Sequence, residues 1–168
     1  GKVEKGRSGL YILDGRLNDS FRAVNLLLNQ KEGEIWRVDL PGEKIKPGDF
    51  IIRQAKSEIL QKIAAEMGVN FQALEEMPSS GVHQLRRLRT AMYQRYWGGN
   101  MDEGWTRLLL EKFDFPYKSV KDKEIKNGQL TRQYDVLILP HDSAGMMLGE
   151  KKSSAYRRYL SSVPSEYR

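Results

Sequence analysis

The chain has 168 residues, 39% of them hydrophobic and 30% charged, with a formal net charge of +6 and no cysteine. That length suits one well-cored domain or two small lobes. The lack of cysteine excludes disulfides, thiolate zinc sites and cysteine nucleophiles.

No apolar run approaches the roughly 20 residues of a membrane span, so no membrane partner is expected. The opening Gly1-Lys2-Val3-Glu4-Lys5 lacks the apolar stretch of a signal peptide. The positive charge raises nucleic acid, but its distribution argues against that partner. Lys151, Lys152, Arg157, Arg158 and Arg168 gather in the last stretch, and Arg86, Arg87 and Arg89 flank an apolar run.

Leu10-Tyr11-Ile12-Leu13, between Gly9 and Asp14-Gly15, has the pattern of a buried strand. Asn18, Asp19 and Ser20 offer N-caps for a helix with the stripe Phe21, Val24, Leu27 and Leu28, which Gly33 ends. Residues 34–38 alternate as a strand does, the Pro- and Gly-rich stretch 41–48 must turn, and Phe50-Ile51-Ile52 gives a third strand. Residues 57–67 predict an amphipathic helix with Ile59, Leu60, Ile63 and Met67 on one face and Gly68 as its stop. Pro78-Ser79-Ser80-Gly81 is the best linker candidate. It separates a first α/β lobe at 1–77 from a second, Rossmann-like βαβ lobe at 88–148, with 78–87 as the linker; the two lobes can form one domain.

In the second lobe, residues 89–94 read as a strand running into Gly98-Gly99-Asn100. A helix follows from about Met101 to Phe113, with Trp105, Leu108, Leu109 and Phe113 as its expected buried stripe, and Phe115-Pro116-Tyr117 breaks it. Residues 122–126 form a helical turn closed by Asn127-Gly128, and 134–140 reads as a central parallel strand. Strand–helix–strand order implies right-handed βαβ units. The fold expected is α/β: three layers, an open and mostly parallel sheet with helices on both faces. Residues 149–168 are polar and basic and read as a tail, so the sheet looks truncated at the C-terminus. An uncovered sheet edge would then favour a homo-oligomer.

Few residues suggest chemistry. Gly98-Gly99-Asn100 sits where a phosphate loop would, yet it matches neither nucleotide fingerprint, and Asp102 and Glu103 would repel an anion. Asn100 and Glu103 have capping-box spacing instead. His83 and His141 stand in no metal motif, and Ser143 lacks the nucleophile elbow. Asp14, Asp19, Asp102 and Asp142 read as loop or cap carboxylates that nothing in the sequence pairs into an acid–base couple, and Tyr93, Tyr96, Trp97 and Trp105 as corner packing. No catalytic residue, cofactor site or metal ligand is assigned. Asn100 and His141, at strand ends, are the candidate ligand-loop residues.

The stretch 92–107, Met-Tyr-Gln-Arg-Tyr-Trp-Gly-Gly-Asn-Met-Asp-Glu-Gly-Trp-Thr-Arg, continues to Leu110-Glu111-Lys112-Phe113-Asp114-Phe115-Pro116-Tyr117. It resembles the region that follows the peptidase domain in large bacterial zinc carboxypeptidase-like proteins of the carboxypeptidase A type. The likeness extends to 134–140 and back to 18–25, and so covers most of the chain. It implies a flavodoxin-like or class I glutamine amidotransferase-like scaffold. It also implies a secreted or periplasmic parent whose peptidase domain is the partner and holds the zinc. The His-x-x-Glu metal pair and the amidotransferase cysteine are both missing here. The chain is therefore expected to be a non-catalytic accessory domain, supporting or positioning the peptidase or its substrate. The alternative is a small-molecule or peptide-binding module using the strand-end loops.

Overall fold

A computed structural model describes residues 1–96, 101–150 and 152–164. It divides the chain into one unit of Gly1–Arg87 with Phe113–Phe115 and another of Leu88–Lys112 with Pro116–Arg168. The first unit runs β1 (Leu10–Leu13), α1 (Asn18–Gln30), β2 (Glu34–Val38), β3 (Phe50–Arg53), α2 (Ser57–Met67), β4 (Gln72–Leu74) and β5 (Val82–Gln84).

Its five strands form one sheet in the order β4-β1-β3-β2-β5, and every neighbouring pair is antiparallel. This corrects the expectation of a mostly parallel sheet. No helix forms between β2 and β3. A parallel return needs a crossover of a dozen or more residues, usually helical. The chain turns straight back instead, and β3 lies between β1 and β2 with Ile52 opposite both Tyr11 and Ile35. The stretch 78–87, expected as a linker, supplies β5 on the sheet edge, with Arg37 opposite His83.

The turn before β3 is held by Asp49, which is buried. Its Oδ1 accepts from the Gly15 amide at 3.1 Å and its Oδ2 from the Lys46 amide at 2.8 Å. Gly15 and Gly48 meet so closely that a Cβ on Gly15 would fall 1.6 Å from the Gly48 carbonyl oxygen. Only glycine fits there. Leu13, Val24, Leu27, Ile52, Leu60 and Phe71 meet in the core between sheet and helices. The cap of α1 is Leu17, not the three polar residues after it, and Ser20 is buried inside the helix. The helix closes at Lys31 in the left-handed region (φ 54°), ahead of Gly33. Asn25 and Asn29 of α1 donate to the carbonyls of Phe113 and Asp114 at 2.8 and 2.9 Å, which holds that short segment in this unit.

The second unit runs β6 (Thr90–Tyr93), α3 (Met101–Lys112), β7 (Tyr117–Val120), α4 (Asp122–Asn127), α5 (Leu130–Gln133), β8 (Val136–Ile138), α6 (Ala144–Met147) and α7 (Ser154–Ser162). Its three strands are parallel, in the order β7-β6-β8. Among the described residues the chain is thus mixed α/β, with one antiparallel and one parallel sheet. The central strand is β6, whose Ala91 and Met92 are fully buried, whereas β8 lies at the edge with Val136 38% exposed. The central place expected for 134–140 is corrected accordingly.

Helix α3 has the expected span but the opposite face. Trp105, Leu108 and Leu109 are 50–60% exposed, while Glu103 is buried at 6%. Glu103 pairs with Arg107 one turn on, and Arg107 Nη2 reaches Ser119 Oγ of β7 at 3.3 Å. The guanidinium also lies over the Tyr117 ring, 5.6 Å from its centroid. At 100° per residue, 103 and 107 share the face opposite to 105, 108 and 109. The ion pair therefore takes the sheet side and turns the apolar stripe outward. The expected tail at 149–168 contains α7, capped by Ser153 Oγ accepting from the Tyr156 amide at 3.3 Å, with Val163 buried behind it.

Candidate functional site

Because β7, β6 and β8 are parallel, their carboxyl ends lie along one edge of the sheet. In open α/β sheets that edge is where ligands bind. Tyr93 ends β6, and Asp122 opens α4 just beyond β7, while Pro140 and Asp142 follow β8. Glu124 accepts from the Lys121 amide at 3.1 Å, which fixes the start of α4 and so the place of Asp122.

Two phenols converge on Asp122. Tyr93 donates to its Oδ1 at 2.5 Å, and Tyr159 of α7 donates to its Oδ2 at 2.8 Å. Tyr159 in turn accepts from the Tyr96 amide at 3.1 Å. Burial first, and then the Asp122 carboxylate, push the Tyr93 phenol well above the ordinary tyrosine range. The Tyr159 phenol is also raised, again chiefly by burial. Both remain neutral donors at ordinary pH.

These groups line a cavity of about 580 Å³. Ile125, Leu137, Leu139, Met146, Met147 and Leu160 make most of its apolar wall. Arg95 also lines it and is held by Asp142, Nη1 to Oδ2 at 2.6 Å. Gly145 lets α6 pass close to the start of α7, since a Cβ there would stand 2.5 Å from Ser153 Oγ.

The structure distributes the sequence candidates unevenly. Asn100, with Trp97, Gly98 and Gly99, lies outside the described residues. His141 is exposed on the β8–α6 loop and does not line the cavity, although its neighbours Pro140 and Asp142 do. His83 is exposed and meets Asp39, Nδ1 to Oδ2 at 2.8 Å.

Two of the loop carboxylates have partners that the sequence does not reveal. Asp142 holds Arg95. Asp14 takes Arg16 in two-point contact, and that hydrogen bonding lowers its pKa to about 2. Tyr93, read as corner packing, is a cavity residue. Asp122 and Tyr159 were not singled out by sequence. The signal for Asp122 was its place two residues past Val120, which is legible only once 117–120 is taken as a strand. Among the described residues, no helix is long and apolar enough to cross a membrane.

No family model matches the chain, and neither a curated protein nor a solved structure matches it.

Proposed function

We propose that the chain is a non-catalytic accessory module that binds a small, largely apolar ligand at the carboxyl edge of its parallel sheet. The cavity carries this reading. Its volume of about 580 Å³ falls within the few hundred to about 1,000 Å³ typical of ligand sites. Its wall is apolar with a few convergent polar groups, the usual composition of such a site. Those polar groups are tied to one another, Asp122 to two phenols, Arg95 to Asp142 and Glu103 to Arg107. An arrangement so mutually fixed suits holding a ligand in one orientation.

The resemblance of 92–117 to the region downstream of zinc carboxypeptidase domains supports placing this module beside a peptidase. The β7-β6-β8 sheet with α3 between its strands is compatible with the amidotransferase-like scaffold which that resemblance implies. In this reading the zinc belongs to the peptidase domain, and this chain holds none. The full reading frame tests the lineage: a His-x-x-Glu peptidase domain before residue 1 supports it, and a reading frame without one removes it.

Binding is tested by thermal shift against a library of apolar fragments. A ligand at a hundred times its Kd adds about 2.7 kcal/mol to native stability. Met146→Trp, which fills the cavity, should abolish the shift. Hits that survive Met146→Trp, or a library without hits, would count against the cavity as the site.

A further inference from the structure

One carboxylate on the cavity wall is held without an ion pair among the described residues, and it points to a ligand class. Arg95 is matched by Asp142 and Glu103 by Arg107. Asp122 is different. Its hydrogen bonds come from two neutral phenols, and no ion pair reaches it among the described residues. It is half-buried beside Ile125, Leu137 and Leu139, where water screens charge less than in the open. Lys126 also lines the cavity but is exposed, and it has an interaction of its own.

Three tyrosines, Tyr93, Tyr156 and Tyr159, line the same space. Aromatic faces attract organic cations. A carboxylate oxygen that already accepts one phenolic hydrogen still has a lone pair for a ligand N–H. The apolar wall of Met146, Met147 and Leu160 would take the body of such a ligand.

On the reading of the cavity as a ligand site, we propose that its ligand is an organic ammonium with an apolar body, its charged head at Asp122 among the tyrosines. Nothing covalent happens in this step. The ammonium donates to Asp122 and is exchanged for water when it leaves.

Three probes of one shape test the assignment by calorimetric titration of the whole chain: 2-phenylethylammonium, 2-phenylethanol and 3-phenylpropionate. The ammonium should bind about tenfold tighter than either of the others, the size of one charge-assisted hydrogen bond. Asp122→Asn should abolish that preference, and Trp105→Ala, on the exposed face of α3 and outside the cavity lining, should keep it. A second measurement needs no variant: the carboxyl carbon resonance of Asp122 should move as the ammonium is added. Equal binding of the three probes, tighter binding of the propionate, or an unmoved Asp122 resonance overturns the ammonium assignment while leaving the cavity a ligand site. No binding by any probe removes both the assignment and the ligand-site reading.

Discussion

Tyr93 and Tyr159 donate to opposite oxygens of one carboxylate, Asp122, at 2.5 and 2.8 Å. The first closes β6 and the second belongs to α7, so a single side chain ties the late helix to the central strand. Tyr159 also takes the Tyr96 amide. Tyr159→Phe removes both links and leaves that amide without its acceptor. The expected cost is about 1–3 kcal/mol. Urea denaturation should show a lower midpoint with an unchanged slope; an unchanged midpoint would mean that α7 is held by apolar contacts alone.

The raised Tyr93 phenol gives stability a dependence on alkaline pH. Its folded pKa lies above the unfolded value of about 10. The folded state therefore keeps a proton that the unfolded state has lost, and the contribution is complete below about pH 10. It drains away as pH rises from there toward the folded pKa. Tyr93→Phe should flatten the alkaline limb of the stability curve. In the wild-type chain, tyrosinate absorbance should show a late-titrating class that this variant diminishes, with Tyr159 remaining in it. A variant with the same alkaline limb would place the titrating group elsewhere.

Trp105 is 60% exposed on the outward face of α3. Trp105→Ala should therefore change stability by no more than about 0.5 kcal/mol, the range of surface substitutions. Phe71→Ala, which empties a fully buried site in the first unit, should cost about 3–5 kcal/mol. A loss of core size at Trp105 would show that its face is covered.

Gly15→Ala sets a methyl group against the Gly48 carbonyl, where the available gap is 1.6 Å. The backbone must shift and loosen the bond from the Gly15 amide to Asp49. A cost of about 1–3 kcal/mol is expected, the range for overpacked sites. A neutral result by thermal denaturation would show that the 41–48 turn yields freely.

The sequence shows some of this plainly. Residues 57–67 carry a complete helical stripe and a glycine stop, and α2 has those bounds with Gly68 in the left-handed region at φ 72°. Other elements were too short to leave a pattern. Gln72–Leu74 and Val82–Gln84 are strands of three residues each, and three positions cannot establish alternation. Strand direction was hidden as well, because an apolar run looks alike in either orientation. Apolar spacing alone assigns α3 the wrong face, because the Glu103–Arg107 pair takes the sheet side. The short β7, Tyr-Lys-Ser-Val, carries no strand pattern, and without it the strand end beside which Asp122 stands does not show.

The two units do not share buried side chains equally. Among the described residues, the second unit contributes only Ala91, Met92, Val120 and Val163 to the fully shielded apolar set, while the first contributes the rest. Local opening is easiest where buried apolar contacts are fewest. Amide hydrogens of β6 to β8 should therefore exchange with solvent deuterium before those of β1 and β3. A cavity ligand should slow that early exchange and leave the late class untouched, so the exchange map would report occupancy without any assay of activity.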